Sequence, residues 1–178
     1  MPTQSERGSI PPAAPAVTIR LAEPSDSDGI RAIYNREVEG STVTFDMVPR
    51  TGDEQLAWIA EHSGPYPAIV AVEATGTVLG FASLSPYRPR PAYATTVENS
   101  VYVHHDARGR KIAVQLMTEL VELAQAHGFH SIIARIVGDH EASIALHAHV
   151  GFEVIGRERE VGRKFGRWLD VVLMQRML

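Results

Sequence analysis

A β-branched run at residues 95–103 passes through a short loop into a long amphipathic stretch at 110–127, and that junction constrains the chain more than any other feature. The first segment, Thr-Thr-Val-Glu-Asn-Ser-Val-Tyr-Val, has the composition of a strand. In the second, Ile112, Leu116, Leu120, Leu123 and Ala124 form one apolar stripe at helical spacing, and Gly128 follows as a stop. The first-turn N–H groups of such a helix have no internal partners, and its dipole adds positive potential there. Arg108, Arg110 and Lys111 crowd that same end, where cations oppose the dipole. An anion seated among them removes the conflict, and phosphate has the right chemistry. The competing reading lets the three side chains point into water, at a cost of a few tenths of a kcal/mol each.

The remaining periodicities place this junction in a larger pattern. Residues 17–21 alternate as a strand, and 25–40 read as a helix with Ser25 and Asp28 at its start and Gly40 at its end. A second short helix is expected over 52–63, then a hairpin of 68–72 and 78–84 about a turn at 74–77. Three prolines make 85–91 a loop. A buried strand follows over 131–137, a short helix over 142–150 stopped by Gly151, and two last strands at 152–155 and 168–173 joined by the basic stretch 162–167. The order β-α-α-β-β-β-α-β-α-β-β describes an α/β protein of mixed α+β type, with a sheet covered by helices on both faces, in one domain over 17–178. Residues 1–16, rich in Pro, Ala and Ser, are expected to be a disordered lead-in without a signal-peptide layout. The absence of cysteine excludes disulfides, zinc-thiolate sites and a thiol nucleophile. A net charge of -4 argues against whole-surface nucleic-acid binding, and no apolar run approaches the ~20 residues that span a membrane. A cytoplasmic location, no nucleic acid and no membrane partner are the expectations.

Arg108-Gly-Arg-Lys-Ile-Ala113 resembles the pyrophosphate loop of GNAT acetyltransferases, Arg/Gln-x-x-Gly-x-Gly/Ala, with Lys111 standing where the central glycine is usual. Further matches run in order from about Thr18 to the C-terminus: Ile33-Tyr-Asn35, Ser41-Thr-Val-Thr-Phe45, Thr96-Val-Glu-Asn-Ser-Val-Tyr-Val103, Ser143-Ile-Ala-Leu-His147 with Gly151-Phe152, and Lys164-Phe-Gly-Arg-Trp-Leu-Asp170. The chain is most similar to the phosphinothricin and methionine sulfoximine acetyltransferase group. That resemblance implies a GNAT fold, a mostly antiparallel twisted sheet in which two parallel strands splay, here 95–103 and 131–137. It also implies acetyl-CoA as co-substrate and a small amino-acid-like amine as acceptor. Backbone groups of Val101, Tyr102 and Val103 are then expected to meet the pantetheine arm, and Arg108, Gly109, Arg110, Lys111, Ile112, Ala113 and Val114 the pyrophosphate. His140, where the family usually has Asn, and Ser143 complete the cofactor side.

Amines are mostly protonated near neutral pH, so acetyl transfer needs a base. Glu98 sits inside an otherwise apolar and hydroxylic strand, where a carboxylate is disfavoured unless paired or functional. Burial would raise its pKa toward a useful range, although backbone donors could equally satisfy it as a structural group. Glu at this position in the phosphinothricin enzymes implies the base, and His147 by the same resemblance a proton relay beside it, or else a bonded core histidine. By the same resemblance Phe45, Tyr87, Arg88 and Thr96 align with substrate-side positions, Arg88 being suited to a carboxylate or phosphinate, and Lys164 and Arg167 are expected to add positive charge on the substrate side. Lys164 and Arg167 are placed in a loop that in this family often reaches a neighbouring subunit, which implies a homodimer. No metal is expected: His104 and His105 diverge on a regular strand, and His147 and His149 diverge by about 200° on a helix. A different acceptor (another small amine, a polyamine or a protein N-terminus) and a non-catalytic acyl-CoA sensor remain as alternatives.

Overall fold

The computed structural model describes residues 16–178, so the lead-in expected over 1–16 lies outside the described residues except for Ala16. Seven strands form one sheet: β1 Val17–Leu21, β2 Ala68–Glu73, β3 Val78–Pro86, β4 Thr96–Val103, β5 Ser131–Val137, β6 Glu153–Lys164 and β7 Arg167–Met177, in spatial order β1-β2-β3-β4-β5-β7-β6. Every pairing is antiparallel except β4 with β5. Four helices, α1 Ser27–Gly40, α2 Gly52–Glu61, α3 Ile112–Ala126 and α4 Glu141–His149, complete the expected element order.

Strand alternation sorts side chains onto two cores. On one face Val97, Ile132, Ala134, Val172 and Met174 pack against Leu116, Met117 and Leu120 of α3. On the other, Val70, Val72 and Phe81 pack against Ile30, Ile33 and Val38 of α1 and Ile59 of α2. Each fully buried aliphatic side chain contributes about 1.5–3 kcal/mol. The entry to α1 is pinned by Arg20, whose two guanidinium nitrogens reach the two oxygens of Asp26 at 2.7 and 2.8 Å. A reciprocal cap starts α2: Glu54 N–H donates to Thr51 Oγ1 at 3.3 Å, and Thr51 N–H donates to Glu54 Oε2 at 2.7 Å.

Two boundaries differ from the sequence reading. The long helix begins at Ile112 rather than 110, because Lys111 adopts φ 62°, a left-handed conformation that cannot continue a helix. The last two strands form one long hairpin, not two short strands with a basic link. Most of β6 is exposed on both faces, so its residues carry no apolar alternation to read.

Candidate functional site

Pairing between β4 and β5 stops at Glu98 with Ile133. Beyond that point the strands diverge, and the β5-facing backbone groups of β4 toward Val103 are left without a strand partner. Buried amides need partners, so this open edge is suited to a ligand with amides of its own. The fork leads toward a cavity of about 730 Å³ lined by Tyr102 and Val103 of β4, the loop and first turn of α3, and one side of α4.

The far wall is the expected anion site. Arg108, Gly109, Lys111, Ile112, Ala113 and Val114 all line it. The first helical bond of α3 runs from Gln115 N–H to Lys111 O at 3.2 Å, which leaves the N–H groups of Ile112, Ala113 and Val114 without helical acceptors. The positive φ at Lys111 accounts for the usual glycine at this place, since the turn demands a left-handed residue. Arg110 departs from the expectation: it lines none of this wall and pairs with Glu73 at 2.9 Å. Arg108 is held by Glu37 at 2.8 Å. Glu37, Ser41 and Val43, which the sequence reading did not select, form the α1 side of the cavity. An acidic residue on the buried stripe of α1 was the signal available for Glu37.

His140 and Ser143 line the cavity as expected. Burial holds the His140 imidazole below its ordinary pKa, with Arg108 adding to the effect and Glu37 and Asp139 opposing it. Val101 instead borders the narrower cleft between the splayed strands, with Asn99, Ser100, Arg135 and His147.

Glu98 occupies the last paired position before the fork, on the α1 face with Tyr102. Burial raises its pKa, Arg135 pulls it down and Glu158 pushes it up again. His147 reaches the fork from the other face. Its Nε2 accepts from Asn99 Nδ2 at 2.9 Å, and its Nδ1 donates to Ser143 O at 2.8 Å. Glu98 and Asn99 are adjacent on a strand and so project to opposite faces. The structure therefore does not bring Glu98 and His147 together. Both ring nitrogens of His147 are engaged within the fold, and burial lowers its pKa.

The six expected substrate-side residues divide. Tyr87, Arg88 and Tyr93 cluster at the start of β4, the Arg88 guanidinium lying 5.0 Å from the Tyr87 ring centre. Thr96 Oγ1 is 3.2 Å from Ser131 Oγ across the parallel pair. Phe45 lies over Gly162 of β6, where an added Cβ would sit 2.4 Å from the ring. Lys164 is not in a loop but ends β6. It is 2% exposed, and its ammonium donates to Thr44 O at 2.9 Å. Arg167 pairs with Asp139 at 3.1 Å. Lys164 thus anchors the segment carrying Thr44 and Phe45 within its own subunit rather than presenting a charge to a pocket.

His104 and His105 do not lie on a regular strand, contrary to the expectation that they diverge on one. β4 ends at Val103, and the two histidines enter a 3-10 turn where, with Asp106, their ligand atoms lie within 4.8 Å of one another. Within the cluster His105 Nε2 stands 3.3 Å from Asp106 Oδ1.

A forked parallel pair closing on a helix N-terminus is the arrangement that the GNAT resemblance implied, and comparison with known proteins agrees. Residues 19–173 match the family described as Acetyltransferase (GNAT) domain. The chain is 44% identical over 161 residues to the L-methionine sulfoximine/L-methionine sulfone acetyltransferase of Pseudomonas paraeruginosa, across 90% of this chain and 94% of that protein. It is 41% identical over 170 residues to the phosphinothricin N-acetyltransferase of Streptomyces coelicolor, across 94% and 99%. A GNAT superfamily phosphinothricin acetyltransferase from Sinorhizobium meliloti, solved in complex with AcCoA, superimposes with a TM-score of 0.87 at 40% identity over 91% of this chain and 88% of that one. The chain belongs to the GNAT acetyltransferase family.

Proposed function

We propose that this chain is an acetyl-CoA-dependent N-acetyltransferase whose acceptor is the amine of a small amino-acid-like molecule such as methionine sulfoximine, methionine sulfone or phosphinothricin. The observation that carries the reading is the fork: an unpaired strand edge with a carboxylate at its apex, and beyond it a cavity that runs from Tyr102 and Val103 to a helix N-terminus. Acetyl-CoA supplies a thioester whose acyl carbon the neutral amine attacks, giving the N-acetyl product and free CoA thiol. The open edge of β4 pairs with the pantetheine amides. The N–H groups of Ile112, Ala113 and Val114 hold the pyrophosphate, with Arg108 and Lys111 adding charge. His140 and Ser143 border the arm. Glu98, with its pKa raised by burial, takes the proton from the acceptor ammonium directly or through one water. His147 acts from beneath, fixing Asn99 and so the strand that carries Glu98. Phe45, Tyr87, Arg88 and Thr96 enclose the acceptor, and Lys164 and Arg167 hold the hairpin beside it.

The relatives named for methionine sulfoximine, methionine sulfone and phosphinothricin support this acceptor class. A cytoplasmic homodimer fits the same reading. No described helix is long and apolar enough to cross a membrane, and the β6–β7 hairpin exposes Val161, Phe165 and Trp168 at the sheet edge. Light scattering on the purified protein measures the assembly.

The test is CoA release followed with a thiol reagent, to which a chain without cysteine is silent. Phosphinothricin, methionine sulfoximine, methionine sulfone, ordinary amino acids and spermidine serve as acceptors, each with wild type and Glu98→Gln. Glu98→Gln is expected to lower kcat about 10²–10⁴-fold with the tetrahedral amino acids. Release with spermidine alone refutes the acceptor class. Tight acetyl-CoA binding without release from any amine makes the protein a sensor.

A further inference from the structure

Arg135 is a charged side chain beside the fork to which neither sequence nor family resemblance gives a role. Ile132, Ala134 and Ile136 of β5 face α3, so alternation turns Arg135 to the Glu98 face. It stands two residues past Ile133, the last position paired with β4, and borders the cleft with Ser100 and Tyr102. Its only carboxylate partner among the described residues is Glu158 of β6, at 2.7 Å, and each side chain is 32% exposed. Such a pair at the surface is worth little and exchanges readily for another anion.

A guanidinium next to the proposed base is poorly placed for a simple amine. It repels the ammonium that Glu98 must receive, and it favours the charged carboxylate at the expense of basicity. For an α-amino acid the same arrangement is complementary. The ammonium and carboxylate of a zwitterion are separated by one carbon, and Glu98 and Arg135 offer opposite charges from neighbouring strands at the point where those strands part. The planar fork of arginine also matches a carboxylate through two parallel hydrogen bonds. Arg88, stacked on Tyr87 and Tyr93 in the segment before β4, is left for the distal end of the acceptor.

We propose that Arg135 binds the α-carboxylate of the acceptor while Glu98 receives its amine, so that the site selects α-amino acids over amines lacking the carboxylate. The proposal rests on the acetyl-transfer reading above. Binding displaces Glu158, whose side chain turns to water.

The test compares acceptors that differ only at that group: methionine sulfone, its α-amide, and the corresponding decarboxylated amine. Wild type is expected to favour the acid by at least about tenfold in kcat/KM. Arg135→Gln should lower kcat/KM for the acid about 10- to 100-fold, chiefly through KM, and should not lower it for the amide or the amine, whose ammonium no longer meets the guanidinium. Arg135→Lys should recover part of the loss. Glu158→Gln, which frees the guanidinium, should lower KM for the acid, and the KM for acetyl-CoA should stay constant throughout. Equal losses on acid and amine in Arg135→Gln would show an effect on Glu98 or on folding and overturn the proposal, as would no loss on either. Selectivity against the carboxylate in wild type overturns it too, while leaving acetyl transfer intact. Release from no acceptor by wild type instead refutes the acetyl-transfer reading, and this proposal with it.

Discussion

Replacing His147 by alanine separates a proton-relay role from a structural one. The ring is 3% exposed, bonded at both nitrogens, and stands edge-on to Phe152 with ring centres 5.1 Å apart. Truncation leaves a void where the imidazole packed, at a cost of about 2–3 kcal/mol. It also strips Asn99 Nδ2 of its acceptor at 2.9 Å, leaving only the thioether of Met117 at 3.5 Å. An orphaned buried amide adds about 1–3 kcal/mol. The sum is about 4 kcal/mol, which for a domain of this size lowers Tm by roughly 8–16 °C. Thermal and urea melts followed by circular dichroism measure it. His147→Phe, which refills the space but still strands Asn99, should recover about half. Kinetics are then read well below the Tm of the variant, where the protein is folded. A stability loss under about 1 kcal/mol together with a kcat loss above about 100-fold would refute the structural assignment and restore proton transfer to the ring.

Three further outcomes are expected. Burial holds His62, His140 and His147 below the ordinary histidine pKa, so below about pH 6.5 the unfolded chain takes up more protons than the folded one. Tm should therefore fall as pH drops from 7.5 to 6, and a flat or rising Tm contradicts the burial of these rings. Lys111→Gly relieves a left-handed lysine and should raise stability by about 1 kcal/mol in urea titration, while acetyl-CoA binding shows whether the ammonium also contributed. In Gly162→Ala the new methyl displaces the Phe45 ring, so acceptor KM should rise while the KM for acetyl-CoA, set by the distant α3 wall, holds. Equal changes in both KM values would argue against a local effect.

The sequence by itself determined the element order, the covered sheet and the basic junction at the start of α3. Those rest on period, composition and charge within a few residues of one another: the stripe Ile112, Leu116, Leu120 and the cations at Arg108 and Lys111 are local facts. It missed the length of β6, since a strand solvated on both faces has no apolar alternation. Only tertiary structure decided which partner each charge takes and which of them faces the cavity. Arg108, Arg110 and Lys164 read alike along the chain, yet Arg108 lines the cavity in a pair with Glu37, Arg110 is paired with Glu73 of β2, and Lys164 is buried against Thr44, 120 residues away in sequence. The separation of Glu98 from His147 likewise depends on which sheet face each side chain meets, and α4 reaches only the Asn99 face. Arg135 enters the site for the same reason: strand pairing stops at Ile133, and no local pattern records where two distant strands part.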